Sequence, residues 1–224
     1  ATTVNANGTL RLGVSTSTSA SGPLGTTGAG TTITSGGVLN MNGFSLTSTA
    51  TESLTVNGTG ISSGGALINS SSTPSTWIGT VALGSDASVG GSGSTTLSGV
   101  VSGANSLTKV GVGTLTLSNT NTFGGASKSL TIAQGTVSIN SFTNALGNSL
   151  NTFTLGTSST SGTLYSTGPT GSVTRSFTVA AGGGTLEIAG IGAPTFANSA
   201  TGTLNGEFTV NCSNSGDAIF SSEL

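Results

Sequence analysis

Histidine is absent from this chain of 224 residues, and only 4% of the residues are charged. Without histidine, a Ser-His-Asp triad cannot form and no imidazole can ligate a metal. Six carboxylates are spread along the chain, at Glu52, Asp86, Glu187, Glu207, Asp217 and Glu223. Four basic residues are equally scattered, at Arg11, Lys109, Lys128 and Arg175. With no basic patch, nucleic acid is not an expected partner.

Cysteine, aromatic residues and long apolar runs are also scarce. No apolar run reaches the length of about 18 residues that suggests a membrane-spanning helix. Cys212 is the only cysteine, so an internal disulfide is excluded. Its parity with Phe208 and Val210 predicts a small buried side chain, and the alternative is a disulfide to another subunit. Single aromatic residues at Trp77 and Tyr165 would each cover the edge of a coil or anchor a surface glycan.

The remaining signals for catalysis are weak. Glu187 and Glu207 are the pair that stacked coils could bring together, and a glycosidase needs two carboxyl groups within ~5–10 Å. The simpler interpretation is two solvated, outward-facing side chains. The calcium-binding nonapeptide is absent, and a phosphate-binding loop is not indicated because no lysine follows the glycine-rich stretches in a strand–loop–helix context. We therefore predict a non-enzymatic protein with no catalytic, cofactor or metal site.

Short runs with alternating apolar residues dominate what remains. The segments GTLTLS (113–118), SLTIAQ (129–134) and GTVSIN (135–140) each place apolar residues at every second position. Such alternation is typical of strands with one buried face. The hydrophobic fraction is 33%, below the usual ~45–50%. An ordered chain of this composition needs a thin core, and stacked solenoid coils provide one because each buries only a few apolar side chains.

Parity assigns the inward-facing side chains. Arg11 and Glu187 lie between inward neighbours and are predicted to face solvent. Asn42-Gly43, Asn57-Gly58 and Gly182-Gly183 are predicted corners with positive φ. The predicted inward residues are Leu10, Leu12, Val14, Leu39, Met41, Phe44, Leu46, Leu54, Val56, Val81, Leu83, Leu115, Leu117, Leu130, Ile132, Val137, Ile139, Phe153, Leu155, Phe177, Val179, Leu186, Ile188, Phe208 and Val210.

A longer repeat is superimposed on the short one. Residues 2–13 resemble 129–140, and residues 52–67 resemble 175–188, with offsets near 125 residues. The chain is therefore predicted to be one solenoid domain, residues 1–224, with nearly two copies of a long unit, 1–125 and 126–224. If a coil takes ~20–25 residues, about ten short coils are expected.

Residues 107–139 carry a recognisable motif. It comprises LTKVGVGTLTLS (107–118), NTFGG (121–125) and LTIAQGTVSI (130–139). This motif resembles the autotransporter-associated β-strand repeat of bacterial surface and secreted proteins, with Phe123 where tyrosine is commoner and Lys128-Ser129 where small threonines are usual. Residues 64–103 also resemble the linker found upstream of that motif. The resemblance implies a right-handed parallel β-helix that is exported to the cell exterior.

These observations together favour an extracellular structural role. The first expectation is a β-helix rod, acting as a stalk or passenger segment of a bacterial surface protein. An alternative is a self-assembling subunit of a filament, sheath or surface layer, because no capping helix is evident and only residues 215–224 are a weak candidate for a cap. A β-helix polysaccharide-active enzyme is a distant alternative. Expected partners are further copies of the chain, neighbouring segments of a longer rod, or surface glycans.

Overall fold

The computed structural model describes residues 1–16, 21–47, 52–168, 172–190, 194–196, 202–213 and 219–220. The protein is all-β, with 3% of residues helical, and its parallel strands stack as a β-solenoid of about 7 turns. The predicted all-β solenoid is therefore confirmed. The expected count of about ten coils is not confirmed, and the handedness of the coil stays a prediction.

The strands are short because a corner interrupts the chain after every few residues. Two single-turn 3-10 helices, Thr27–Ala29 and Ile61–Ser63, are formed at such corners. The strands are β1 (Thr2–Val4), β2 (Thr9–Arg11), β3 (Ser21–Gly22), β4 (Gly25–Thr26), β5 (Thr31–Ile33), β6 (Val38–Asn40), β7 (Leu54–Gly58), β8 (Leu67–Asn69), β9 (Ser75–Trp77), β10 (Val81–Gly91), β11 (Thr95–Leu97), β12 (Val101–Ser102), β13 (Leu107–Lys109), β14 (Thr114–Leu117), β15 (Ser129–Ile132), β16 (Gly135–Ile139), β17 (Thr152–Leu155), β18 (Gly162–Ser166), β19 (Ser172–Val173), β20 (Phe177–Val179), β21 (Gly184–Ile188), β22 (Thr195–Phe196), β23 (Gly202–Leu204), β24 (Phe208–Cys212) and β25 (Ile219–Phe220).

Most of the described parallel strands belong to three ladders that form the walls of the solenoid, and β19, β22 and β25 form a separate parallel sheet. The first ladder begins with β1, β5 and β7, continues through the first half of β10 and reaches β12. The second ladder runs from β2 through β6, β8, the second half of β10, β13, β15, β17 and β20 to β23. The third ladder is a 7-stranded sheet from β9 to β24. The register of β10 shifts between Leu83 and Ala87, which allows this one strand to serve two ladders.

The ladders keep their register although the coils differ in length. Ser75 and Thr95 occupy equivalent places on neighbouring coils and are 20 residues apart. Ser45 and Thr76 are also in contact between neighbouring coils, yet 31 residues separate them. Paired strands match residue for residue at both of these contacts, so the extra residues lie in the corners between the strands.

The core is a narrow column of apolar side chains that follows the solenoid axis. Most of the residues predicted to face inward are buried, as alternation requires. Leu10, Phe44, Phe208 and Val210 are only partly buried, but they pack against the same core. The prediction for Val14 is wrong: its side chain is 56% exposed, because it lies in a bend beyond the end of β2 where the strand alternation has stopped.

Positive φ values occur at the predicted corners. Asn42, Gly43, Gly58 and Gly183 all have positive φ, so the second residue of each predicted pair adopts the left-handed conformation that glycine tolerates. Of the proposed C-terminal cap, residues 215–224, only 219–220 are described, and they form a strand paired with Thr195–Phe196. The division into units 1–125 and 126–224 stays a prediction.

Candidate functional site

A column of stacked inward side chains runs along the second ladder. Strand pairing places Leu67 under Val89 and Val89 under Lys109, and the column continues through Ile132 and Leu155. These positions are buried. Apolar burial of this kind contributes about 25 cal/mol per Å² of surface removed from water. One member of this otherwise apolar column, Lys109, carries an ammonium group.

Lys109 is 2% exposed and lies between Val89 and Ile132 in this column. Its Nζ donates to the carbonyl oxygens of Val110 at 2.8 Å, Gly111 at 2.6 Å and Gln134 at 3.3 Å. All three ammonium protons therefore have acceptors, two in its own coil and one in the next coil. Burial lowers the pKa of Lys109 from 10.5 to about 8, because desolvation disfavours the charged form.

A second buried cation holds an irregular segment against the wall. Arg175 is 5% exposed, and its guanidinium donates to the carbonyl oxygens of Asn148, Thr143 (3.1 Å) and Gly147 (2.8 Å). These carbonyls belong to a turn-rich segment, 141–150, that forms no strand. Burial lowers the pKa of Arg175, but guanidinium stays protonated across the accessible pH range. Arg175 thus supplies the donors that a regular ladder would otherwise provide.

Asparagine side chains perform the same task without charge. Asn69 is fully buried, and its amide donates to the carbonyl oxygens of Thr73 and Ser94 while its oxygen accepts from the backbone of Gly43. Asn151 is likewise buried, and its amide donates to the carbonyl oxygens of Phe123 and Leu146. Buried polar groups of this kind are tolerable because their hydrogen bonds are made. These two asparagines thus stabilise the corners in which they lie.

The outer surfaces of the second and third ladders carry hydroxyl groups in register. In the second ladder a column of threonines crosses successive coils, and in the third ladder another column does the same. These two columns are Thr108, Thr131, Thr154, Thr178 and Thr203, and Thr114, Thr136, Thr163, Thr185 and Thr209. Stacked β-branched residues suit a pleated, half-exposed surface, so the columns need no ligand to explain them.

One ion pair crosses the exterior of three coils. Lys128 Nζ lies 2.9 Å from Asp86 Oδ1, and the backbone N–H of Ser106, on the intervening coil, donates to the same carboxylate oxygen at 2.7 Å. The Ser106 N–H and the Lys128 ammonium lower the pKa of Asp86. The Lys128 side chain is 31% exposed and the Asp86 side chain 61% exposed. Solvent therefore screens the ion pair, and it contributes little to stability.

The two glutamates singled out by the sequence are not brought together. Gly184 pairs with Phe208, which places Glu207 beside Gly183. Glu187 lies four residues further along the strand, and at ~3.3 Å per residue the two Cα atoms are roughly 13 Å apart. A groove of about 200 Å³ includes Glu207, Thr185 and Thr209 in its lining but not Glu187. The two-carboxylate arrangement of a glycosidase is therefore not formed by this pair.

The remaining carboxylates have other places. Glu52 is buried and accepts a 2.7 Å hydrogen bond from the hydroxyl of Thr31. Asp217 and Glu223 lie outside the described residues. Within the described part of the chain, no group of three or more His, Cys, Asp or Glu side chains is placed to hold a metal ion.

Three single residues also have definite positions. Trp77 is fully buried, so the alternative of a surface glycan anchor is wrong for this residue. Tyr165 is half-buried on the outer surface of the third ladder, between Ser138 and Glu187. Cys212 was predicted to be buried and is instead exposed. It follows Ile188 in its column, and no described strand stacks on the far side of β24 to cover it.

The sequence analysis missed both buried cations, although a signal was present. Lys109 shares parity with Leu107, and Arg175 shares parity with Val173 and Phe177, all of which are buried. Parity alone would therefore have predicted that both side chains are buried.

Comparisons with known proteins do not assign the chain to a family. No protein-family model, no curated protein and no solved structure matches the chain. Among the described residues, no helix is long and apolar enough to cross a membrane.

Proposed function

We propose that this chain is a non-catalytic structural rod outside a bacterial cell, forming a stalk or passenger segment of a surface or secreted protein. The observation that carries the proposal is the continuous inward column of the second ladder, from Leu39 through Lys109 to Val179. Each coil lies directly on the next, and the polar groups that interrupt the apolar column have hydrogen-bond acceptors.

Backbone hydrogen bonds run along the solenoid axis and give the rod its stiffness. For example, the N–H of Leu39 donates to Ala66 at 2.8 Å, and the N–H of Ala66 donates in turn to Ser88 at 2.8 Å. Bending the rod sharply would break such bonds on one side of the axis. The same principle accounts for the rigidity of other stacked β arrays.

The finer architecture is part of this proposal: a right-handed helix of about ten coils in a single domain with units 1–125 and 126–224. The second ladder passes through nine strands, from β2 to β23, which supports a count near ten. Right-handedness is supported by the strong preference of parallel β-crossovers for that hand. An experimental density map would decide both points: a left-handed coil would contradict the handedness, and a count of about 7 turns would contradict the number of coils.

Resemblance to the autotransporter-associated repeat supports the extracellular location. The motif in residues 107–139 supplies four consecutive strands, β13 to β16. The first lysine of the motif, Lys109, is the buried lysine of the second ladder. Antibodies against the purified chain, applied to intact and permeabilised cells of the source bacterium, would test the location. Labelling of intact cells is expected, and labelling only after permeabilisation would refute it.

The rod itself can be tested with the purified chain. Small-angle scattering and negative-stain electron microscopy are expected to show an elongated particle with one dimension much longer than the other two. Protease treatment should leave the stacked region intact, because its backbone groups are engaged in ladders. A spherical particle or rapid digestion throughout the ladders would contradict the proposal.

Self-assembly into a filament, sheath or surface layer is the second candidate, and β24 favours it. In the part of the chain that is described, β24 pairs on one side only, with β21, and its inward residues Phe208 and Val210 are only partly buried. A second copy stacked there would cover both side chains. Such an exposed edge is a template for further strand pairing.

Matched lysine substitutions on β24 test this second candidate. Val210→Lys places a charge on the inward surface, whereas Thr209→Lys places the same charge on the outer surface. If copies stack end to end, sedimentation at increasing protein concentration should show assemblies for the natural chain and Thr209→Lys but not for Val210→Lys. Monomers at all concentrations, or equal effects of both substitutions, would exclude stacking at this edge.

The distant alternative of a polysaccharide-active enzyme is tested by a substrate screen with Glu187→Gln and Glu207→Gln. Since these residues are ~13 Å apart along the strand direction, we expect no turnover in the natural chain. Turnover that either substitution abolishes would overturn the non-catalytic proposal. Surface glycans remain proposed partners of the rod, to be tested in the same screen by binding.

A further inference from the structure

Asparagine followed by glycine is a reactive pair, and the chain contains four such pairs. The glycine nitrogen can attack the side-chain carbonyl carbon of the asparagine, because glycine has no Cβ and its backbone turns freely. A hydrogen bond to the asparagine side chain or to the glycine N–H opposes this attack, since that bond must break before the two groups can meet. The four asparagines are Asn7, Asn42, Asn57 and Asn205.

The pair at Asn42 is held at both reacting groups. Asn42 Nδ2 donates to the carbonyl oxygen of Leu12 at 3.1 Å, and Asn42 Oδ1 accepts from Arg11 at 2.7 Å. The N–H of Gly43 donates to the side-chain oxygen of Asn69 at 2.9 Å. Both the attacking nitrogen and the amide that it would attack are therefore fixed.

The pair at Asn57 is held in the same way. Asn57 Nδ2 donates to the carbonyl oxygen of Ile33 at 2.8 Å, and the N–H of Gly58 donates to the hydroxyl oxygen of Ser85 at 2.9 Å. The two acceptors lie 24 and 27 residues away in sequence, on the neighbouring coils. The stacking of the coils thus protects this pair.

The pair at Asn7 is held at one group only. The N–H of Gly8 donates to the carbonyl oxygen of Asn5 at 3.0 Å, whereas Asn7 itself is exposed. Because the attacking nitrogen is engaged, this pair should react slowly.

The pair at Asn205 differs from the other three. Asn205 is exposed and lies in the corner between β23 and β24. Within the described residues, neither its side chain nor the N–H of Gly206 has a hydrogen-bond partner. The corner is nevertheless fixed in place, because the N–H of Asn205 donates to the carbonyl oxygen of Val179 at 2.9 Å. Packing also requires the glycine, since a Cβ at position 206 would overlap the carbonyl oxygen of Ala180.

We propose that Asn205 is a self-modification site, at which the folded chain converts asparagine to aspartate and isoaspartate faster than at its other Asn-Gly pairs. The Gly206 nitrogen bonds to Asn205 Cγ, the Cγ–Nδ2 bond breaks, and Nδ2 leaves as ammonia with the proton from Gly206. Water then opens the resulting five-membered ring at either carbonyl. Only water is consumed, so no cofactor or oxidant is required. The inference goes beyond the structural role and does not depend on it.

The solenoid can absorb this change. Isoaspartate adds one atom to the main chain, in a corner between the second and third ladders. Equivalent corners range from two residues, 133–134, to six residues, 156–161, while the strands on both sides stay in register. The lasting effect is one added negative charge beside Glu207, in a chain whose net charge is −2. We therefore expect the modified chain to stay folded and to separate from the unmodified chain by charge.

Peptide mapping of the purified full chain by mass spectrometry is the first test. The folded chain is stored in mildly alkaline buffer, and a parallel sample is stored unfolded in urea. Modification replaces the amide NH2 by OH, and the mass gain is measured at each pair. In urea we expect the four pairs to react at similar rates. On folding, Asn42 and Asn57 should become protected and Asn7 partly so, while Asn205 should keep its rate. Strong protection of Asn205 by folding would overturn the proposal.

Asn205→Gln and Asn57→Gln are matched variants for the second test, because glutamine closes the corresponding six-membered ring far more slowly. Ion-exchange chromatography of the stored natural chain should show a growing acidic form. Asn57→Gln should keep this form and Asn205→Gln should lose it. Since Asn205 is exposed, its replacement should leave the fold intact. An acidic form of equal size in both variants would refute the assignment to Asn205.

Ser85→Ala tests the physical reason for the difference between the pairs. This change removes the hydroxyl that accepts from the N–H of Gly58. Asn57 should then react faster in the folded chain, while the rate at Asn205 stays the same. An unchanged rate at Asn57 would contradict the role given to the glycine hydrogen bond, and with it the basis of the proposal.

Discussion

Removing the guanidinium of Arg175 should loosen the segment 141–150, which Phe142, Ala145 and Leu146 still hold to the core. In an Arg175→Met variant, the carbonyl oxygens of Thr143, Gly147 and Asn148 lose their donor. Gly147 is buried, whereas Thr143 is exposed and Asn148 is half-buried. Water can reach the latter two carbonyls, so the main penalty is one unsatisfied buried carbonyl, at about 1–3 kcal/mol.

The chain provides its own control for this prediction. Arg11 is exposed and donates to Asn42 Oδ1 at 2.7 Å, and Arg11→Met should lower the free energy of unfolding by less than about 1 kcal/mol. Urea denaturation measures the total loss, and for a slope of about 1–3 kcal/mol/M the midpoint of Arg175→Met should fall by roughly 1 M. Methionine retains most of the apolar stem, so packing is largely unchanged.

Hydrogen exchange localises the effect. The amide of Ala145 donates to Ser141 within the segment at 3.0 Å, and the amide of Asn148 donates to Phe123, outside the segment, at 2.8 Å. Both amides should exchange much faster in Arg175→Met while the amides of β13 to β15 are unchanged. Equal denaturation midpoints for Arg175→Met and Arg11→Met, or uniform acceleration of exchange along the chain, would refute the reasoning.

Three further predictions follow from burial and close approach. Gly162→Ala should strongly destabilise the protein, because a Cβ at this position overlaps the carbonyl oxygen of Ile132. Gly13→Ala is the control, since a Cβ there meets nothing within 4 Å. Equal melting temperatures of the two variants would contradict the predicted destabilisation. Cys212 is exposed, so a thiol reagent should modify it in the folded protein at the rate found after unfolding, and strong protection would count against its position. Trp77 is fully buried, so its fluorescence should be blue-shifted and insensitive to iodide; ready quenching would show that the residue is accessible.

Alternation, together with the low apolar fraction, predicted an all-β solenoid and most of its core, and the parallel β-helix was implied by the resemblance of residues 107–139. In the motif, Leu115, Leu117, Leu130 and Ile132 are buried as their parity indicates. The method works because a strand has a period of two and the solenoid has one continuous interior. It failed at Val14, where the strand had already ended, so parity no longer described the direction of the side chain.

The buried charges show why the site was harder to predict than the fold. Lys109 and Arg175 have the parity of apolar neighbours, but a charged residue is normally expected in solvent. Their burial depends on carbonyl oxygens from turns. The most distant of these acceptors lies 25 residues from Lys109 and 32 residues from Arg175 in sequence. Local sequence does not reveal which turns will leave carbonyls without donors. The exposure of Cys212 is of the same kind, since it depends on whether another strand covers β24.

Coil length varies between 20 and 31 residues at Ser75–Thr95 and Ser45–Thr76, while the strands remain in register. Because the strands keep their spacing when the corners lengthen, the corners should accept inserted peptides. Foreign epitopes or binding loops inserted beside an outward side chain such as Val112, which is 66% exposed, would project from the rod at a fixed height. Successive inserts could then be arranged along one line, separated by steps of ~4.8 Å per coil.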